Sequence, residues 1–144
     1  GGIEIRWPSD PHLFQEAMKR EDALQMAVAS LLDASGLTWF HPANGEHRNP
    51  ITGAKLKRMG VKAGMPDVMI LDDPCADVGT GPEWCGLAIE LKAPDAKGRR
   101  PKPRANQLEW HERLRKCGWR VEVCYSLDEV IGLLRECYPG RLLA

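Results

Sequence analysis

Gly64-Met65-Pro66-Asp67-Val68-Met69-Ile70 and Leu87-Ala88-Ile89-Glu90-Leu91-Lys92 decide how this chain folds. Each is an apolar run of strand length that carries ionisable groups where a buried strand ordinarily has none. In the second run, period-two alternation puts Ala88, Glu90 and Lys92 on one face and Leu87, Ile89 and Leu91 on the other. If the two strands pair, Asp67, Glu90 and Lys92 meet at one edge of a sheet. Two carboxylates beside an ammonium form a place for a divalent cation and a phosphate.

The flanking sequence supplies the remaining elements. Pro66 stands at the start of its strand, where the missing N–H does no harm. Residues 72–86, rich in Pro, Gly and Asp, predict a hairpin-like connection. Upstream, Leu24, Val28, Leu31 and Leu32 recur at helical spacing and predict a helix over about 21–35, stopped by Gly36. Leu37–His41 predicts a short strand ended by Pro42. Residues 43–64 are polar, basic and glycine-rich and read as a long excursion, a length more often functional than idle.

Downstream, Pro94, Pro101 and Pro103 keep residues 94–105 out of a helix, and the segment reads as mobile. A helix then runs from Ala105 or Asn106 to Cys117-Gly118, with Leu108, His111, Leu114 and Cys117 along its inner face. Trp119–Tyr125 alternates as a strand, and Ser126 caps a last helix carrying Leu127, Val130, Ile131 and Leu134. The order α-β-β-β-α-β-α predicts an α/β fold, a mixed sheet of about four strands flanked by helices, with a crossover unit over 87–125. Residues 1–20 read as an N-terminal segment and 21–144 as one domain.

Composition bounds the function. A chain of 144 residues, 43% hydrophobic and 28% charged, fits one globular domain. No apolar run approaches the roughly 18 residues that span a bilayer, and the N-terminus lacks a secretory pattern. Five cysteines, odd in number and without a C-x-x-C pair, predict free thiols in a reducing cytoplasm. The four histidines are scattered and offer no local zinc set. Net charge is zero but unevenly spread. Lys55, Lys57, Arg58 and Lys62 precede the first motif strand; Lys97, Arg99, Arg100, Lys102 and Arg104 follow the second. Both clusters adjoin the carboxylates and are candidates for DNA phosphates, although each cation alone reads equally as a solvated loop residue.

Mg²⁺ takes hard oxygen ligands and keeps several waters, so Asp67, Glu90 and the Leu91 carbonyl suffice for it, with Lys92 beside them to orient a water or neutralise a phosphate. Competing motifs fail: the glycines of 79–86 lack the dinucleotide-binding order, Gly53-Ala54-Lys55 is no P-loop, and no serine sits in a nucleophile elbow. Taken singly, Asp67 reads as a strand-end acid, Glu21 as a helix-start acid and Gln107 as cover for a helix end. Glu90 and Lys92 read as an ion pair on a solvated sheet face.

Pro-Asp followed by Glu-x-Lys resembles the PD-(D/E)xK nuclease superfamily. Glu21-x-x-x-Gln25, Pro42-Ala43-Asn44-Gly45, Gly64-Met65-Pro66-Asp67, Ile89-Glu90-Leu91-Lys92 and Asn106-Gln107 together resemble the VRR-NUC family, the virus-type replication-repair nucleases, over about Glu21 to Tyr125. The resemblance implies a restriction-endonuclease-like core and a Mg²⁺- or Mn²⁺-dependent deoxyribonuclease with Asp67 and Glu90 as metal ligands. It makes Lys92 the catalytic lysine, Glu21 a further acidic ligand, Gln107 a polar residue beside the lysine, and Asn44 a residue lining the site or the DNA path. It also implies branched DNA as substrate, four-way junctions before flaps or splayed arms, a homodimer, and a stand-alone phage-type protein. The chain departs from the family in reading Arg104-Ala105-Asn106 where a serine often precedes the glutamine, which weakens the helix cap. Two other readings stay open: a DNA-binding module that keeps the fold without cutting, and a small phosphoesterase acting on nucleotides.

Overall fold

The two motif strands lie side by side at the centre of a four-stranded sheet of order β1-β2-β3-β4. The computed structural model describes residues 11–43, 49–75 and 83–141, without the side chains at 13–15, 17 and 18. Its elements are α1 (Pro11–Ser35), β1 (Trp39–Phe40), α2 (Pro50–Arg58), β2 (Val68–Ile70), β3 (Gly86–Leu91), α3 (Ala105–Lys116), β4 (Trp119–Cys124) and α4 (Leu127–Cys137). β1 pairs antiparallel with β2, Trp39 opposite Ile70, and β2 pairs antiparallel with β3, Val68 opposite Ile89. β3 runs parallel to β4, with Glu90 opposite Val123. A parallel neighbour requires a long crossover, which α3 supplies. The mixed α/β sheet expected from the sequence is the one observed.

Alternation along β3 sets the layers. Leu87, Ile89 and Leu91 join Val68 and Ile70 in the main core, closed by Val28 and Leu32 of α1 and Val130 and Leu134 of α4. Each such side chain contributes roughly 1.5–3 kcal/mol by leaving water. Ala88, Met69 and Val121 form a smaller cluster with Leu114 of α3 on the opposite face. That second face is not wholly apolar. It also carries Glu90, Lys92, Gln107 and His111, all buried.

Three local expectations change. α1 begins at Pro11, ten residues before Glu21, with proline at the helix start, where its missing N–H leaves no bond unmade. The excursion over 43–64 contains a helix, α2, whose N-cap Asn49 accepts a hydrogen bond from Thr52 N–H at 2.8 Å and whose first residue is Pro50. No residue of α2 is buried, so it has no apolar stripe to announce it. In α3 the buried residues are Gln107, His111 and Leu114, whereas Leu108 is 52% exposed. The inner stripe is therefore rotated by one residue and headed by two polar side chains.

Residues 94–105, expected to be mobile and outside a helix, are held at several points, and Ala105 already belongs to α3. Asp95 accepts from the N–H groups of Lys97 and Arg99 at 2.9 and 2.8 Å and pairs with Arg99 Nε at 2.6 Å. Tyr125 donates its hydroxyl to Pro101 O at 3.0 Å, and Arg100 lies 4.7 Å above the Tyr125 ring and 3.2 Å from Glu129. α1 ends at Gly36 and α4 opens at Ser126, which accepts from Glu129 N–H, both as the sequence predicts. Among the described residues no helix is long and apolar enough to cross a membrane, and all five cysteines are thiols.

Gly64 decides how closely α3 approaches β2. Its φ is +89°, and a Cβ there would lie 2.8 Å from the Asn106 carbonyl oxygen. Gly64→Ala is therefore expected to lower stability by roughly 2 kcal/mol, while Gly132→Ala, at an open helical position, raises it by roughly 0.5–1 kcal/mol. Urea denaturation midpoints of the two variants give the check; a neutral Gly64→Ala would refute the close approach.

Candidate active site

Register alone brings the first two acids together. With Val68 opposite Ile89, one step outward along the antiparallel ladder sets Asp67 beside Glu90 on the α3 face. The strand pairing stops there. Asp67 instead turns its carboxylate onto the neighbouring strand and accepts the Leu91 N–H at Oδ2, 2.7 Å away. His41, just past β1, holds the Asp67 carbonyl through Nδ1 at 2.6 Å. Lys92 N–H continues the parallel pairing to Cys124 O at 3.0 Å, which keeps Lys92 and Glu90 on one face.

Glu90 is 1% exposed. Its Oε1 accepts Gln107 Nε2 at 2.6 Å and lies 3.5 Å from Lys92 Nζ. Gln107 serves two purposes with its two amide ends. Its Oε1 accepts the Arg104 N–H at 2.8 Å, covering the start of α3, while its Nε2 grips Glu90. The Arg104 side chain makes no cap hydrogen bond, so the glutamine supplies the half of the cap that remains. The capping reading of Gln107 and the active-site reading are thus both met by one residue.

The electrostatics favour a cation. Burial, then the negative charge of Glu90, push the Asp67 carboxyl up to about 8; the Leu91 N–H and the Lys92 ammonium oppose this, and the Glu21 carboxylate of α1 adds to it. Glu90 Oε2 is buried with no hydrogen-bond partner among the described residues. Buried acid oxygens without enough donors suit a hard divalent ion, so the set fits Mg²⁺ or Mn²⁺. Among the described residues no three His, Cys, Asp or Glu side chains are placed to hold an ion by themselves. A cation here draws on Asp67, Glu90, main-chain oxygen and water, a poor set for structural zinc.

The basic residues divide. Lys55, Lys57 and Arg58 occupy the exposed last turn of α2, with Lys62 just beyond. Lys57 and Lys62 line a groove of about 340 Å³ shared with Trp110 of α3. A larger hollow of about 840 Å³ lies beside Ile51, Lys55, Arg58 and Met59 and contains no acid, so it is separate from the carboxylates. Lys97 and Lys102 are exposed on the 94–104 segment. Arg99 and Arg100 are also exposed there, each held at the surface by an ion pair, Arg99 with Asp95 and Arg100 with Glu129, and Arg100 stacks on Tyr125. Arg104 stands at the α3 N-cap. Asn44 lies outside the described residues.

Two residues of this site were not among the sequence candidates. His41 fixes the Asp67 backbone, and His111, 1% exposed, lies with Nε2 3.8 Å from Glu90 Oε2. The available signal for His111 was its spacing, one turn after Gln107 on the same face of α3. It reads as core because its companions Leu114 and Cys117 are apolar.

Residues 18–128 match the model of the VRR-NUC domain. A solved structure described as a "VRR_NUC domain protein" is similar at a TM-score of 0.58 and 28% identity, over 83% of this chain and 88% of that one. No curated protein matches. The matched span contains Glu21, Asp67, Glu90, Lys92 and Gln107, and the chain belongs to the VRR-NUC family, with the fold of a nuclease-type, DNA-processing domain.

Proposed function

We propose that the protein is a Mg²⁺- or Mn²⁺-dependent endonuclease that hydrolyses phosphodiester bonds in branched DNA, four-way junctions first. The observation that carries this reading is the buried pairing of Asp67 with Glu90, which leaves Asp67 short of compensating charge and sets Lys92 at the same edge. Asp67, Glu90 and the Leu91 carbonyl would hold the cation, with Glu21 reaching it through water. When bound, such an ion lowers the pKa of a coordinated water and neutralises charge at the scissile phosphate.

The protein groups have separable tasks. Gln107 holds Glu90 at Oε1, which keeps that carboxylate at the edge. Lys92 contributes an ammonium held in place by burial, which offsets charge building on the phosphate oxygens and orients the attacking water. Asp67 is immobilised at both ends, by Leu91 N–H at its carboxylate and by His41 at its carbonyl. Lys55, Lys57, Arg58 and Lys62 on one side and Lys97 and Lys102 on the other would contact backbone phosphates, sequence-independent contacts that suit selection by DNA shape.

A homodimer is the working form in this reading, because a two-fold pair sets two sites against two strands. Exposed Phe40 and Leu71 beside the β1 edge, and Ile51 and Met59 on α2, offer apolar surface to a second copy.

With labelled four-way junctions and Mn²⁺, the wild type is expected to cut, and Lys92→Ala and Asp67→Asn to be slower by about 100-fold or more. Equal rates in all three would sink the assignment. Linear duplex of the same sequence should be cut far more slowly, and light scattering should give twice the monomer mass; parity between the two DNAs would remove the junction preference.

A pH dependence follows from Asp67. Its carboxyl is raised above the ordinary 3.8, so the folded protein binds the extra proton between about pH 4 and 8. Its contribution to stability falls as pH rises through that window. Without divalent ions, Asp67→Asn should therefore melt higher than wild type at about pH 8.5, by roughly 3 °C or more, and the gap should narrow at about pH 5. Added Mg²⁺ or Mn²⁺ should stabilise the wild type at the higher pH and leave Asp67→Asn unmoved. A cation response equal in both proteins would remove Asp67 from the ligand set.

A further inference from the structure

Glu90 is held on one side only. Its Oε1 has Gln107 and Lys92, whereas Oε2 has no hydrogen-bond partner among the described residues. The atom facing Oε2 is His111 Nε2, 3.8 Å away, itself buried and without a partner there. Two buried polar atoms left open toward each other need a physical reason, since each forfeits its bonds to water.

We propose that His111 is a positioning residue for the cation site: its Nε2–H grips Glu90 Oε2 and fixes the plane of that carboxylate. The proposal rests on the cation reading given above. Gln107 and His111 are four residues apart on α3 and so stack along one face, reaching Glu90 at two successive turns. Gln107 sits at the helix start, where it also holds the Arg104 N–H. His111 lies one turn further along, next to the apolar cluster of Ala88, Val121 and Leu114.

One donor pair on Oε1 leaves the carboxylate free to turn about its last bond; a second point of contact on Oε2 removes that freedom. The separation is about 0.8 Å longer than a hydrogen bond, a gap that a small rotation of either side chain closes. A leucine would fill the same volume against Leu114, so packing alone does not account for an imidazole. The neutral ring with its proton on Nε2 suffices, because the role is donation of one hydrogen bond.

The test measures Mn²⁺ binding by calorimetry without DNA, and cleavage as a function of Mn²⁺ concentration, with melting curves to verify the fold. His111→Gln keeps a donor at the reach of Nε2; His111→Leu keeps the volume without it; His111→Asn keeps an amide that stops short. His111→Leu is expected to weaken Mn²⁺ about 10-fold or more, with most of the cleavage rate returning at saturating Mn²⁺. His111→Gln should stay within about threefold of wild type. Unchanged Mn²⁺ affinity in His111→Leu would overturn the proposal, as would His111→Gln binding no better than a folded His111→Leu. If His111→Leu does not fold, equal affinities for His111→Gln and His111→Asn would overturn it, and tighter binding by His111→Gln would support it. A wild type that binds no Mn²⁺ would instead overturn the cation site itself, a result distinct from all of these.

Discussion

The site depends on where the pairing of β2 with β3 stops. Beyond Val68 and Ile89 the ladder does not continue; the Asp67 carboxylate takes the Leu91 N–H in place of a backbone carbonyl. That substitution does two things at once. It satisfies a backbone donor that burial would otherwise strand, and it locks an acid onto the neighbouring strand beside Glu90. With the strands released from each other, the start of α3 comes over Gly64, and only a residue without Cβ admits it. Gln107 reaches Glu90 because of that approach.

Charge explains why such an edge is not simply a packing defect. Asp67, Glu90 and Glu21 influence one another in a buried setting with Lys92 as the cation among them. Like charges in low dielectric repel strongly, and the structure relieves this only in part, by hydrogen bonds from Leu91 and Gln107. The remaining relief is either a proton on Asp67 or a divalent ion. A neutral chain overall thus gathers three acids and one lysine at a single point, while the lysines of α2 and of the 94–104 segment are exposed.

What the sequence made legible follows its periodicities. Strand alternation was sufficient to put Glu90 and Lys92 on one face and Leu87, Ile89 and Leu91 in the core, because each residue of β3 is buried on one side or the other. Gln107 became legible through the family pattern, not through helical spacing. α2 left no apolar period because it buries nothing, although Asn49-Pro50 is a usable start signal. Spacing misassigned the inner face of α3, since Leu108 looks like core and Gln107 does not; the helix turns its polar residues inward to meet Glu90. Charge runs were the least readable. Nothing local separates Lys97 and Lys102 from Arg99 and Arg100, equally exposed but tied at the surface by Asp95, Glu129 and Tyr125.

The segment between Lys92 and Gln107 joins these arguments. It connects the end of β3 to the start of α3, so the lysine and the glutamine that flank Glu90 are fixed to its two ends. Asp95 closes a tight turn in its first half, and Tyr125 and Glu129 of the β4–α4 junction hold its middle. Three prolines limit the remaining backbone freedom. Lys97 and Lys102 therefore ride on a strap whose ends are set by the carboxylate cluster and whose middle is tied to the sheet. A phosphate contact, if those lysines make the one proposed for them, would be registered against Glu90 by covalent geometry and a few hydrogen bonds. Flexible lysines on an untethered loop of the same composition would give attraction without that register.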